Sequence, residues 1–358
     1  MAVNLSLAEA LKASEQKMTD TAGVNDPGNY EKDLGFLQYL FSSENKKTIN
    51  TSMGTAGQKG KYRPVEVRYT PKKGQGDVSE AVSGYDCTKG TTRREIIQTL
   101  NPSLFVIDQF TIDEAITREG TQESFNDRIA KELKDAMLNC RENIDKQLFS
   151  AAITDIGANP ASGALKDAYT TVQMLNSDGT LSASTFDQIV NEAQDNMMST
   201  PAIIGSNNMR KVVNRLNVGD TAAGGLNYGG VRTSFGVNFY NDAWTTTNFG
   251  SANNNRVIAC YPGLQQFYSY NFYRAGGYDK EATMQKMAIP DPIYPGITYD
   301  VSLKWDDGCS GNDPQGYIVG NVFLYFDLWT PPEDAFGEGY SDNLNDFTGI
   351  VGYDITSA

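Results

Sequence analysis

Between Gly219 and Gly230 the run GDTAAGG spaces its glycines as a phosphate-cradling loop does, so nucleotide binding is the first chemistry to weigh. The run lacks the Lys and the Ser or Thr that neutralise phosphate and hold Mg²⁺, and it reads instead as a flexible surface loop. Asp306, Asp307, Asn312 and Asp313, with Gly308 and Gly311, could gather oxygens around Ca²⁺. Their spacing departs from the EF-hand pattern and no Glu closes the loop, which favours a solvated turn between two strands. Tyr268, Tyr270 and Phe272 share one face of a strand and could stack on sugars or bases, but Tyr-rich strands more often form core or subunit interface. Lys72 and Lys73, at the tip of a hairpin, could pair with acids on a neighbour or merely keep the tip soluble and block edge pairing. The sequence leaves both open.

Carboxylates are plentiful, yet no pair is placed to share general-acid and general-base roles. Histidine is absent, which removes the commonest general base and metal ligand at once. The four cysteines, Cys87, Cys140, Cys260 and Cys309, are far apart with no CxxC, neither a zinc site nor a disulfide framework. Cys140 falls on the apolar stripe of a helix, where it is a small buried hydrophobe. The expectation is a protein that is not an enzyme and needs no cofactor and no metal.

The elements that position these residues are read from patterning. From Thr121 to about Ala152, Phe125, Ile129, Leu133, Met137, Cys140, Ile144 and Leu148 recur at the period of an amphipathic helix, with no Gly or Pro between them. Asp127–Lys131, Arg128–Glu132 and Lys131–Asp135 stand one turn apart on its polar faces, and Thr121 or Ser124 offers an N-cap. At about 1.5 Å per residue this rod is roughly 45 Å long, and its narrow stripe predicts that it lies across a sheet rather than inside one. Before it, residues 4 to 18 read as a short helix and Leu34 to Phe41 as a second apolar piece, both too small to hold a core alone. Arg63 to Thr70 alternates as an edge strand, and Thr91 to Leu100 returns antiparallel, making a long hairpin that needs something to lie on. After Pro102 a strand leads into the long helix. Beyond it come a helix at Thr185 to Met198, a buried strand at Ala202 to Gly205 feeding a helix capped by Ser206 or Asn207, and the Gly-rich loop. Strands follow at Arg256 to Tyr261 and Leu264 to Tyr273. Ile297 to Trp305 alternates as a half-buried strand, and Tyr317 to Trp329 is apolar enough to be covered on both sides.

The 358 residues suffice for a substantial core, and 39% hydrophobic residues with 34 Gly fit a globular protein rich in strands and turns. The net charge of −14 is unevenly placed: residues 1 to 150 carry 20 basic and 22 acidic side chains, leaving −12 for the rest. Between Lys46 and Arg94, 11 Lys or Arg face four acids, Glu66, Asp77, Glu80 and Asp86. A basic segment and an acidic body in one chain could attract each other between copies, or both could be solvated surface. The N-terminus lacks the pattern of a secretory signal, and no apolar run is long enough to span a membrane, so cytosol-like conditions, or exit by lysis, are expected.

Taken in order, these pieces resemble the major capsid protein of tailed bacteriophages, the Hong Kong 97 fold. The likeness runs from about Lys61 to Trp329 and is strongest over Phe125 to Phe149, which ends in IDKQLF, and over Thr200 to Tyr240, with TPAIIGSNNMRKVVNRL and FGVNFY. The resemblance implies an α+β fold with an N-terminal arm at 1–60 and an extended β-hairpin loop at 61–100. It further implies a peripheral domain at 101–169 with a spine helix at 122–152, an axial domain at 170–285, and a C-terminal return to the peripheral domain at 286–358. It implies many copies assembling as pentamers and hexamers into an icosahedral virion shell. The shell encloses double-stranded DNA without reading its sequence, is built in the host bacterial cytoplasm with no membrane, and works with portal, scaffold and possibly decoration proteins. Candidate contacts between subunits are Lys61, Arg63, Arg68, Lys72, Lys73, Lys89, Arg93 and Arg94. The family's Lys–Asn cross-link has no motif here, and the arm is too short to contain a large scaffolding segment, so a separate scaffold is expected.

Rival readings are an encapsulin-like nanocompartment shell, against which the basic arm and loop speak, and a β-rich tail or lectin-like binding protein. The latter would not explain a 30-residue amphipathic helix behind a basic hairpin. An enzyme using carboxylates comes last.

Overall fold

In a computed structural model of the chain, residues 32–42, 45, 49–51, 65–69, 96–100, 102–113, 125–157, 168–175, 200–206, 209, 231–232, 238–273, 279–280, 284–294, 296–306, 317–331 and 347–357 are described. The helices are α1 (Gly35–Leu40), α2 (Phe125–Thr154) and α3 (Thr245–Phe249), the last followed by a 3₁₀ turn at Ser251–Asn253. The strands are β1 (Ile49–Thr51), β2 (Val65–Tyr69), β3 (Ile96–Leu100), β4 (Leu104–Asp113), β5 (Tyr169–Leu175), β6 (Ala202–Gly205), β7 (Val231–Arg232) and β8 (Asn238–Asn241). They continue with β9 (Arg256–Cys260), β10 (Gln266–Tyr270), β11 (Asp279–Lys280), β12 (Met284–Pro290), β13 (Thr298–Asp306), β14 (Tyr317–Trp329) and β15 (Ile350–Ser357).

The spine helix forms where its stripe requires. Ile129, Leu133, Met137, Cys140, Ile144 and Leu148 are all at most 1% exposed, and Arg128 and Glu132 make the expected one-turn ion pair at 2.8 Å. The stripe lies on β4 and β14, close enough for the Cys140 thiol to donate to the Val322 carbonyl at 3.6 Å. A second face of α2 is buried too, against α1 and α3, where the Phe149 ring meets Phe36 at 6.0 Å and Phe249 at 5.4 Å. The helix is therefore clamped between a sheet and short helices, where one narrow stripe predicts a helix lying across a sheet alone.

β14 is the centre of a seven-stranded sheet in the order β1-β10-β14-β13-β12-β11, with β4 along the other side of β14. Its length allows three partners: residues 325–329 pair with β10, residues 317–323 with β13, and residues 317–326 with β4, all antiparallel. A second sheet has the order β5-β15-β9-β6-β8-β7. One apolar core runs through both, from Val322, Leu324 and Phe326 to Ile204, Ile258 and Ile350. β10 joins β14, while the C-terminal β15 inserts between β5 and β9.

Three expectations are corrected. Leu34 to Phe41 was read as part of an arm without a local core, but Phe36, Leu37, Tyr39 and Leu40 are fully buried within their own chain. The approach is so close that a Cβ on Gly35 would meet the Asn241 carbonyl oxygen at 2.4 Å. β14 is not covered on both sides: its even positions from Ile318 to Leu328 are buried, and its odd positions are only half-buried. β13 buries the expected Tyr299, Val301 and Leu303, but also Asp300 and Ser302 on the face expected to be polar and open. The strand at Ala202–Gly205 forms as expected, and Ser206 Oγ accepts the Met209 N–H at 3.5 Å. The expected helices at residues 4–18 and 185–198, the Gly219–Gly230 loop and the Asp307–Asp313 turn lie outside the described residues.

Candidate functional site

The odd positions of β14 build a surface. Register places Phe323 opposite Ile107 and Tyr325 opposite Phe105 on β4, with Tyr270 of β10 beside Tyr325 on the other flank. The chain leaving β10 lays Phe272 and Tyr273 over the same rings. Centroids lie 4.4 Å apart for Phe105–Tyr325, 5.2 Å for Phe272–Tyr325, 4.9 Å for Tyr270–Phe272 and 5.7 Å for Tyr273–Phe323. These edge and tilted contacts order the rings without hiding them. Phe105 stays 37% exposed and Ile107 and Phe272 each 54%, a contiguous apolar patch on a sheet face. Ser103, Gln109, Thr111 and Lys304 rim it as exposed residues. Single exposed apolar residues need no explanation; a clustered aromatic patch with a polar rim is the composition of a protein interface.

Polar groups hold this face in shape. Ser103 donates through its N–H and Oγ to Asp327 Oδ2, at 2.9 and 2.7 Å, fixing the start of β4. Gln147 of α2 donates to the Phe105 carbonyl at 3.2 Å. Asp300, wholly buried, accepts the N–H groups of Phe272 at 2.6 Å and Tyr273 at 3.1 Å and so sets where both rings sit. Burial pushes its carboxyl up to about 7, against the opposing pull of these donors and of Asn271.

β2 and β3 form a separate two-stranded sheet, with Val65, Val67 and Tyr69 opposite Leu100, Gln98 and Ile96. That pairing is the hairpin expected from the sequence. Of the candidate contact residues, Arg68 stands on β2 opposite Ile97, and Lys61, Arg63, Lys72, Lys73, Lys89, Arg93 and Arg94 lie outside the described residues. Of the expected aromatic stripe, Tyr268 and Tyr270 are buried, and only Phe272, just past the end of β10, faces outward. Phe105, Ile107, Phe323 and Tyr325 were not anticipated. The signal was there in LFVI at the start of β4, where unbroken apolar residues must face both sides of the sheet. Among the described residues no group of three or more His, Cys, Asp or Glu could hold a metal, and no helix is long and apolar enough to cross a membrane.

No protein-family model matches the chain, and no curated protein matches it by sequence. Solved structures do match. A chain of the cyanophage A-1(L) capsid asymmetric unit is 14% identical, with 99% of each chain covered and a TM-score of 0.57. A chain of the head structure of Helicobacter pylori bacteriophage KHP40 is 10% identical, with 92% of this chain and 94% of that one covered and a TM-score of 0.50. At such identities the likeness is one of architecture, and it spans nearly the whole molecule. The chain thus has the α+β fold of phage capsid chains, the Hong Kong 97 type that its sequence resembles.

Proposed function

We propose that this chain is a major capsid protein whose copies assemble through pentamers and hexamers into an icosahedral virion shell enclosing double-stranded phage DNA. The observation that carries the reading is the pairing of two unfinished surfaces on one chain of capsid fold. One is a sheet face with half-exposed Phe272, Phe105 and Ile107, and the other is the β2–β3 ribbon, which joins neither large sheet. A two-stranded ribbon is marginal in water by itself. Laid on the aromatic face of a neighbour it gains a partner, and the neighbour loses exposed apolar surface. Completing the burial of one such side chain contributes roughly half of the ~1.5–3 kcal/mol of full burial. A closed shell repeats this modest gain at every subunit, so weak contacts sum to a stable assembly.

In this reading residues 1–60 supply an arm and 61–100 the extended loop. Residues 101–169 and 286–358 build the peripheral domain, and 170–285 the axial domain. Lys61, Arg63, Arg68, Lys72, Lys73, Lys89, Arg93 and Arg94 contact acids of neighbouring subunits. Portal, scaffold and decoration proteins are the remaining partners, assembly takes place in the host bacterial cytoplasm, and no step requires catalysis. The test is electron microscopy with light scattering on the chain expressed alone and with a separate scaffold, full length and with residues 61–100 trimmed to a short turn. Closed shells, rings or sheets from the full chain, with small species from the trimmed one, are expected. A full chain that stays monomeric at high concentration even with a scaffold would overturn the proposal.

A further inference from the structure

Because β4 pairs β14 along residues 317–326, β10 and β13 must share the other edge of β14, β10 at 325–329 and β13 from Phe323 onward. The place beside Phe323 is held by Asp300, so the chain past Tyr270 cannot extend the ladder and rises over the sheet face. Asn271, Phe272 and Tyr273 lie there as a short flap tied to β13. Asn271 Nδ2 donates to the Thr298 carbonyl at 2.5 Å, and the Phe272 and Tyr273 N–H groups donate to the two oxygens of Asp300 at 2.6 and 3.1 Å. Over β14 the two rings meet Phe323 at 6.4 and 5.7 Å, and Phe272 also meets Tyr325 at 5.2 Å. Asp300 stands opposite Phe323, so both side chains point to the face that the flap covers. Beneath the flap Asp300 is wholly buried, while Phe272 is 54% exposed. One carboxyl group thus fastens two successive amides of the segment that supplies the outermost ring of the aromatic face.

The elements around Asp300 place their charged and titratable groups as follows. From β12, Lys286 lies over the Tyr273 ring at 5.9 Å. On β13, Lys304 is exposed at the rim, and the Tyr299 hydroxyl donates to Asp291 on the opposite face. On β14, Tyr325 packs on Phe105 and Asp327 accepts from Ser103, while Asp108 of β4 accepts from Asn139 of α2. Tyr270 of β10 packs on Phe272. Among the described residues no ion pair reaches Asp300. A carboxyl group cut off from water, with amide donors but no countercharge, is driven towards its neutral form. Burial accordingly pushes Asp300 from 3.8 up to about 7, against the pull of the Phe272 and Tyr273 amides.

We propose that Asn271–Tyr273 is a flap fastened by neutral Asp300: with the carboxyl protonated the flap lies down and completes the aromatic face, and ionisation of the carboxyl lifts it. Lifting gives the carboxylate water, takes Phe272 and Tyr273 off the face and uncovers Phe323. Asp300 is thereby a positioning residue for a surface that it does not itself reach. The face a partner meets then has two forms, one with the outer rings in place and one without them. The flap belongs to the folded chain alone. Its consequence, weaker docking between copies as pH rises, rests on the assembly proposed above, and the test is made on unassembled chain so that the two fail separately.

The test is amide hydrogen exchange at Phe272 and Tyr273 in the full-length chain from pH 5 to 8, corrected for intrinsic exchange, at a dilution where light scattering shows single subunits. The carboxyl holds its proton tightly beneath the flap and loosely in water, so lifting releases one proton. Protection of the two amides should therefore fall about tenfold per pH unit up to about pH 7 and level off above it. It should also stay below that of the buried β14 amides, which need a deeper opening to exchange. Asp300→Asn keeps an acceptor and has no proton to lose, so its profile should be flat with pH. Asp300→Ser, smaller and equally uncharged, should be flat too and serves if Asp300→Asn fails to fold. A wild-type profile flat between pH 5 and 7, protection equal to that of β14 throughout, or a slope that survives in the uncharged variants would overturn the flap.

Discussion

Among the described residues, Arg141 and Asp291 form the most deeply buried ion pair. Arg141 on α2 is 2% exposed and Asp291, just after β12, is not exposed at all. The Asp291 carboxylate accepts Nε and Nη2 of Arg141 at 2.9 and 3.0 Å, the N–H groups of Ile293 and Tyr294 at 2.8 and 2.9 Å, and the Tyr299 hydroxyl at 3.2 Å. Asp291→Asn keeps an acceptor for the turn amides but removes the negative charge that the buried guanidinium meets. Breaking a buried pair from one side costs about 3–5 kcal/mol, most of it the unpaired charge. Arg141→Met on its own leaves the carboxylate three donors and should cost less. Adding Arg141→Met to Asp291→Asn removes the guanidinium as well and should recover about 2 kcal/mol, leaving a residual near 1–2 kcal/mol from the two weakened hydrogen bonds. Urea unfolding of the full chain, followed by the fluorescence of its three tryptophans, closes the cycle. A cost for Asp291→Asn under about 1 kcal/mol, or strictly additive costs in the double variant, would refute the reasoning.

Gly320→Ala should destabilise by about 1–3 kcal/mol, read as a lowered thermal midpoint, because a Cβ there would sit 2.1 Å from the Phe110 ring across the β4–β14 ladder. Asp300 is raised from 3.8 to about 7 in the folded chain, so folding takes up a proton between those values. Its contribution to stability is complete below about pH 4 and lost as pH rises through 7. Asp300→Asn should flatten that part of the stability–pH profile measured by urea midpoints. Phe272→Ser, half-exposed in the free chain, should leave the thermal midpoint within about 0.5 kcal/mol in stability yet reduce the light scattering of assembled material.

What could be read beforehand was what repeats. The α2 stripe and the alternation of β13 carry enough periodic positions to outvote local noise, the apolar run of β14 is long enough to mark a strand though not its one-sided burial, and all three elements formed. β15 was missed because IVGYDITS mixes both faces and carries Gly352, whose lack of a side chain makes sense only once the Tyr169 ring is seen 2.7 Å from where a Cβ would be. α1 was read as arm because a six-residue, mostly apolar helix carries no evidence of what covers it, and its cover comes from α2, β8 and β6. Nothing in the sequence marks Arg141 and Asp145 as buried, because charge in a sequence gives no sign of burial. Only the approach of Asp291 to Arg141 and of the Leu37 N–H to Asp145, each more than 100 residues away, decides it.

These buried charges settle a question the apolar stripe cannot. Ile129, Leu133, Met137, Cys140, Ile144 and Leu148 are similar in kind and nearly periodic, so sliding α2 by one turn over β4 and β14 would replace one apolar contact with another. Such a slide moves the helix by about 5.4 Å. It would carry Arg141 out of reach of Asp291 and Asp145 away from the Leu37 N–H, which they meet at 2.9 and 2.7 Å. Two desolvated charges and an uncapped α1 would result, a penalty of several kcal/mol against an apolar cost that is small. Replacing the ion pair by apolar residues could raise stability while losing this register. If the chain assembles as proposed, presenting its aromatic face and its ribbon in fixed relation to copies of itself gains more from one position of its spine than from a deeper energy minimum.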